Sequence, residues 1–269
     1  MRDGADDMKV ELLPSTLGGP SAMQFSMSLL INDELAVDAG TLGFLWPLER
    51  QKRVRHVFLS HSHADHLASL PMFLDNVYEP VDACPRIYGG PETLECLRRH
   101  IFNDVYWPDF IRLSEEEKPF LMLHQLDAET VVRLPSGTTV TAVLLNHTVP
   151  TLGFIIEDST AVVALVSDTG PTDRIWELLR HKPRLAAVFL ECSFPDRLEW
   201  LAEKSGHLCP RLFAQELKKL PSDVPMLVYH LKPAFQQPIA TELEALHRPL
   251  LQLAISGHIY EFHVPDENR

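Results

Sequence analysis

The stretch VFLSHSHADHLASL, from Val57 to Leu70, decides how this chain reads. Upstream, Val54, Val57, Phe58 and Leu59 make a short apolar run suited to a buried strand, and downstream Leu67, Leu70, Phe73 and Leu74 recur at helical spacing. His61 to His66 therefore fall in a strand-to-helix turn, where a rigid frame holds side chains that solvent still reaches. At the chain's own His and Asp frequencies, the pattern HxHxDH is expected on the order of 10⁻³ times over this length, so chance explains it poorly. In an extended turn, residues two apart point the same way. His61 and His63 can then chelate one cation while Asp65 and His66 reach a second.

A second cation needs more ligands, and three segments offer them at the ends of predicted strands. His147 follows TAVLLN, Asp168 follows AVVALVS and His230 follows PMLVY. Together with the turn they make a set of five imidazoles and two carboxylates. Such a nitrogen-rich set suits Zn²⁺ first, then Mn²⁺ or Fe²⁺, and disfavours Mg²⁺ and Ca²⁺.

The 269 residues show no internal repeat, low-complexity tract or Gly/Ser linker, which points to one domain over residues 1–269. Strand-rich runs alternate with helical ones: a hairpin within Phe25–Val37 turning at Asn32-Asp33, then FLMLHQL, TVVRL, TTVTAVLL, LGFII, AVVALVS, LAAVFLE and MLVYH. This order predicts a layered α/β protein with helices outside paired sheets. No apolar run is long enough to span a bilayer, and the acidic start MRDGADDMKVELL lacks the basic and apolar parts of a signal peptide. A cytoplasmic protein with frayed first residues is expected. Four cysteines without CxxC spacing read as reduced thiols. A net charge of -13 without a Lys/Arg cluster argues against nucleic acid as partner, although a local basic pocket for one or two phosphates stays compatible with it.

In its ordered set of HSHADH, His147, Asp168 and His230, the sequence resembles the metallo-β-lactamase superfamily. The resemblance runs from the DAG turn at Asp38 onward and implies a four-layered αββα sandwich. It also implies that His61, His63 and His147 hold one metal, that Asp65, His66 and His230 hold the other, and that Asp168 bridges them. A narrower resemblance, in VSDTGPTDRIW, FLECSFPDR, SGHLCPRLFAQEL and LVYHLKP, is to the class II cyclic nucleotide phosphodiesterases, with HLK where their last block reads HIK. Ribonuclease Z shares the arrangement, and HTVPTLGF looks much like its third motif.

Two cations near each other would lower the pKa of a bridging water towards 7 and clamp phosphoryl oxygens during in-line attack. The departing ribose oxygen still needs a proton, and His207, held by Glu191, is the candidate general acid. Lys232 is placed to add a point charge to a phosphate oxygen, or else is a solvated lysine. Trp107, with Tyr106 and Phe110, offers a wall for a purine, or else packs in a core or dimer contact. Asp38 either orients metal ligands or forms a turn. His258 is either a strand residue near the site or a subunit contact. His56, His100, His124, His181, His247 and His263 have no ligand spacing and read as surface or loop residues, and Glu115-Glu116-Glu117 as a solvated helix start.

The sequence thus implies a dinuclear metal enzyme hydrolysing 3',5'-cyclic nucleotides to 5'-monophosphates, a small-molecule substrate and, as is usual in the resembling families, a homodimer. Two other readings stand beside it. One is a ribonuclease Z-like endonuclease, disfavoured by the lack of a basic Gly/Pro-rich arm between His66 and His147; the other is a noncatalytic nucleotide sensor, disfavoured because every candidate ligand is present.

Overall fold

The computed structural model describes residues 7–16, 23–221 and 223–264. In the first half of the chain lie strands β1 (Met8–Leu12), β2 (Leu29–Ile31), β3 (Leu35–Val37), β4 (His56–Phe58), β5 (Arg86–Gly89) and β6 (Met122–Gln125). There follow β7 (Val131–Arg133), β8 (Thr139–Leu145), β9 (Thr151–Glu157), β10 (Val162–Val166), β11 (Leu185–Glu191), β12 (Met226–Tyr229), β13 (Leu251–Leu253) and β14 (Ile259–Phe262). Among the described residues they form two seven-stranded sheets, ordered β14-β1-β2-β3-β4-β5-β6 and β13-β12-β11-β10-β9-β8-β7.

Each sheet is half antiparallel and half parallel. In the first, β1, β2 and β3 pair antiparallel and β3 to β6 parallel. In the second, β7 to β10 pair antiparallel and β10 to β13 parallel. The central parallel strands β10, β11 and β12 are largely buried apolar runs without alternation, as expected of strands covered on both faces.

Three apolar clusters fill the layers. One lies between the sheets and includes Met8, Val10, Phe58, Phe154, Phe189 and Tyr229; Phe58 and Phe154 meet across it at 5.7 Å. The second packs helices Arg174–Leu179 and Pro210–Glu216 on the second sheet through Trp176, Leu179 and Phe213. The third packs helix Leu70–Val77 on the first sheet through Phe73 and Leu74. Helix, sheet, sheet and helix make the expected four layers. No helix among the described residues is long and apolar enough to cross a membrane.

Three expectations change. The acidic start contains an ordered strand: Met8, Val10 and Leu12 are fully buried, and β1 pairs with both β2 and β14. Residues 1–6, where fraying was expected, lie outside the described ones. Glu115 and Glu116 close the helix Phe110–Glu116 instead of opening one, and both are exposed, since carboxylates keep their hydration there. His56 is buried on β4 beside the Tyr88 hydroxyl at 3.3 Å, not at the surface.

Candidate functional site

The parallel strands of both sheets end on a common edge, and the candidate ligands collect there. After β4, Ser60 and His61 lead into the short helix Ala64–Leu67, which carries Asp65 and His66. Main-chain bonds pin this turn to the first sheet, from Met27 N–H to the Asp65 carbonyl and from Ala39 N–H to the His66 carbonyl, both 2.8 Å. Gly40 makes the approach possible, because a Cβ there would sit 2.0 Å from the Asp65 carbonyl oxygen.

Three groups of donor atoms result, each with its atoms within 4.8 Å of one another: His61, His63, His147 and Asp168; Asp65, His66 and His230; and Asp168, His207 and His230, which overlaps the other two. The Asp168 carboxylate lies between the first two groups, 3.6 Å from His61 Nε2, 3.8 Å from His147 Nε2, 3.5 Å from His66 Nε2 and 3.5 Å from His230 Nε2. Four of the imidazoles have Nδ1 engaged, which leaves Nε2 pointing inward. His61 Nδ1 meets Ser60 Oγ at 2.9 Å, His66 Nδ1 donates to Asp38 Oδ2 at 2.6 Å, His147 Nδ1 donates to the Gly206 carbonyl at 2.7 Å, and His230 Nδ1 meets Ser193 Oγ at 2.9 Å. Fixing one ring nitrogen in this way orients the other for a cation.

The buried atoms His61 Nε2, His66 Nε2 and Asp168 Oδ1 have no hydrogen-bond partner. Orphaned polar atoms at such burial are costly, and a divalent cation would satisfy all three. The donor set and its unmet valences therefore fit divalent metal ions.

Electrostatics separate the imidazoles. Burial lowers the His61 pKa, with the neighbouring His66 adding to it, so this ring is neutral and able to ligate. For His207, burial by itself lowers the pKa, but the charge and hydrogen bond of Glu191 more than offset this and raise it above the ordinary value. Its Nδ1 lies 2.8 Å from Glu191 Oε1, which also accepts from the N–H groups of Thr169 and Leu208, both at 3.2 Å. The other nitrogen, Nε2, faces the cluster 4.0 Å from Asp168 Oδ2. Lys232 reaches the mouth, with Nζ 3.8 Å from Asp65 Oδ2.

Of the sequence candidates, His61, His63, Asp65, His66, His147, Asp168, Glu191, His207, His230 and Lys232 come together. Trp107 does not join them: its ring is half-buried in the cluster under helix Leu70–Val77 and packs edge-on to Phe110. Asp38 is part of the site's support, bonding both His66 and the Ser60 hydroxyl. His258 is exposed, its ring against Tyr260. Sequence reasoning missed Ser193 and the Gly206 carbonyl. Ser193 had a readable signal, lying two residues beyond Glu191 in the ECSF block, whereas a backbone carbonyl leaves no trace in residue type.

Comparison with known proteins bears on the family and the fold. A family model described as beta-lactamase superfamily domain matches residues 37–230. Over 232 residues the chain is 26% identical to a probable 3',5'-cyclic-nucleotide phosphodiesterase of Yersinia pestis, covering 77% of this chain and 64% of that protein. Over 186 residues it is 30% identical to a 3',5'-cyclic-nucleotide phosphodiesterase of Aliivibrio fischeri, covering 62% and 54%. The chain thus spans less than two thirds of the length of these relatives. Among solved structures, unliganded yeast PDE1 matches with a TM-score of 0.75 at 19% identity, over 97% of this chain and 100% of that one. The short form of human tRNase Z matches with a TM-score of 0.66 at 17% identity, over 95% and 100%. At such identities the structures speak to the fold alone.

Proposed function

The chain belongs to the beta-lactamase superfamily, and within it we propose a metal-dependent phosphodiesterase that hydrolyses 3',5'-cyclic nucleotides to 5'-nucleoside monophosphates. The observation that carries this reading is the pair of His207 and Glu191, an imidazole bonded to a fully buried carboxylate with its free nitrogen turned to the donor cluster. A ribose hydroxyl is a poor leaving group, so a site that expels it needs a proton delivered as the bond to phosphorus breaks. The relatives named as cyclic-nucleotide phosphodiesterases supply the substrate class.

In this reading His61, His63 and His147 would hold one divalent cation and Asp65, His66 and His230 another, with Asp168 shared; Zn²⁺ suits the donor set best and Mn²⁺ next. When bound, such cations supply Lewis acidity towards phosphoryl oxygens and an acidified water as nucleophile at neutral pH. The protein's own groups do the rest. Asp38, Ser60, Ser193 and the Gly206 carbonyl hold the ligand rings in one orientation. Lys232 offers its charge to a phosphate oxygen at the mouth. As the water oxygen joins phosphorus and the bond to the 3' oxygen breaks, His207 Nε2 gives its proton to that oxygen, and Glu191 stabilises the imidazolium before the transfer.

The test is chromatography of cAMP and cGMP after incubation with protein loaded with Zn²⁺ or Mn²⁺. Formation of 5'-AMP and 5'-GMP is expected. Absence of both, with cleavage of a precursor tRNA at its 3' trailer, would transfer the chain to the ribonuclease Z-like reading; tight binding of cAMP without turnover would make it a sensor.

A further inference from the structure

Beyond His207 the structure continues into a short line of rings. Phe194, three residues past Glu191, is buried with its ring 5.7 Å from that of His207. Phe235, five residues past His230, follows at 6.1 Å from Phe194 and is only half-buried. Over it lies the guanidinium of Arg197, with Cζ 5.4 Å from the ring centre. Arg197 is exposed, and among the described residues no carboxylate comes within ion-pair distance of it, although the chain has a net charge of -13.

Pairs of Arg and an aromatic ring occur on many protein surfaces; the placement singles this one out. The loops that bring Glu191 and His230 to the site also bring Phe194, Arg197 and Phe235. If His207 protonates a ribose oxygen, the sugar lies against His207, and the base attached to that sugar calls for a planar surface beyond it. Along the line of rings that starts at His207, Phe194 is buried, and Phe235 with Arg197 is the first planar surface that reaches solvent.

We propose that Phe235 and Arg197 form the platform on which the nucleobase of the cyclic nucleotide stacks, with Phe194 as the buttress between platform and general acid. This rests on the phosphodiesterase reading and adds to it a basis for selectivity. Aromatic faces and guanidinium planes accept any base but gain more from a purine than from a pyrimidine, because more ring area is covered.

The experiment compares kcat/KM for cAMP, cUMP and methyl p-nitrophenyl phosphate, a diester without a base, in the metal-loaded enzyme and in its Phe235→Ala, Phe235→Trp and Arg197→Ala variants. For Phe235→Ala the ratio of cAMP to base-free diester should fall on the order of 10-fold, mainly through KM. Phe235→Trp should restore the ratio, and Arg197→Ala should lower it by a smaller factor, with cAMP preferred to cUMP in the unsubstituted enzyme. A ratio unchanged in Phe235→Ala, or a parallel loss on both substrates, overturns the platform alone. An unsubstituted enzyme that cleaves the base-free diester but neither cyclic nucleotide overturns the cyclic-nucleotide reading and the platform with it.

Discussion

The two sheets supply the site in opposite ways. The first gathers His61, His63, Asp65 and His66 into one turn after β4, whereas the second spends one strand end on each group: His147 after β8, Asp168 after β10, Glu191 ending β11 and His230 after β12. Donor geometry in the first is therefore local, set by the turn and its anchor on Asp38. In the second it depends on strand register, with Val166 level with Leu190 and Glu191 level with Tyr229. The halves share one device. Asp38 and His230 each leave their strand at left-handed φ, 61° and 59°, a conformation that costs a non-glycine residue roughly 1–2 kcal/mol. In both places the strain turns a side chain towards the cluster.

If the comparison holds, the largest effect comes from the residue where the halves meet. Asp168→Ala should reduce bound metal, measured by plasma mass spectrometry, to well below that of the parent protein and bring hydrolysis of cAMP to background. Full metal content in that variant would show that Asp168 is not shared between the two donor groups.

The anchors should rank next, and unequally. Asp38 bonds His66 directly and, through Ser60, also supports His61, so Asp38→Ala should weaken metal binding about 10–100-fold in a chelator competition. Ser193 touches His230 alone among the ligands, so Ser193→Ala should lose less. Equal losses would erase the distinction between a shared anchor and a single one.

Gly206→Ala tests the register side. Gly206 has φ 66°, and a Cβ there would meet His147 Nδ1 at 2.9 Å and its Cα at 3.0 Å. The methyl should push His147 away and lower metal content while the protein stays folded by circular dichroism. A variant with parental metal content would show that the 206–207 loop gives way without cost.

The smallest expected effect is on pH dependence. With His207 as the proposed acid, its raised pKa should keep activity to higher pH, and the rate should fall as pH rises through that value. Glu191→Gln removes the carboxylate charge, so the alkaline limb of the kcat profile should move to lower pH. A limb that stays in place would assign it to another group.

The sequence made the chemistry easier to read than its scaffolding. His147, Asp168 and His230 were legible because a buried strand reads as an apolar run and the polar residue that ends it stands out. Asp38 could not be ranked, since an aspartate after a strand looks the same whether it forms a turn or holds His66. The strand Met8–Leu12 was hidden by Lys9 and Glu11, whose charges made a buried alternation look like an acidic tail. Trp107 was misleading in the other direction: a cluster of aromatics has the composition of a stacking wall, and only packing shows that Phe102, Phe110 and Phe120 already occupy it. Phe194 and Phe235 were passed over because, isolated in sequence, they meet only when β11 and β12 pair.

The most direct test of the account asks whether His207 delivers a proton to the leaving group. The rates of His207→Ala and the parent enzyme would be compared, at equal metal content, on cAMP and on methyl p-nitrophenyl phosphate, whose nitrophenolate leaves without protonation. Proton delivery by His207 predicts a loss of about 10²–10⁴ on cAMP and a far smaller one on the activated ester. Equal losses on both substrates would contradict it and place His207 among the metal ligands or the structural residues instead.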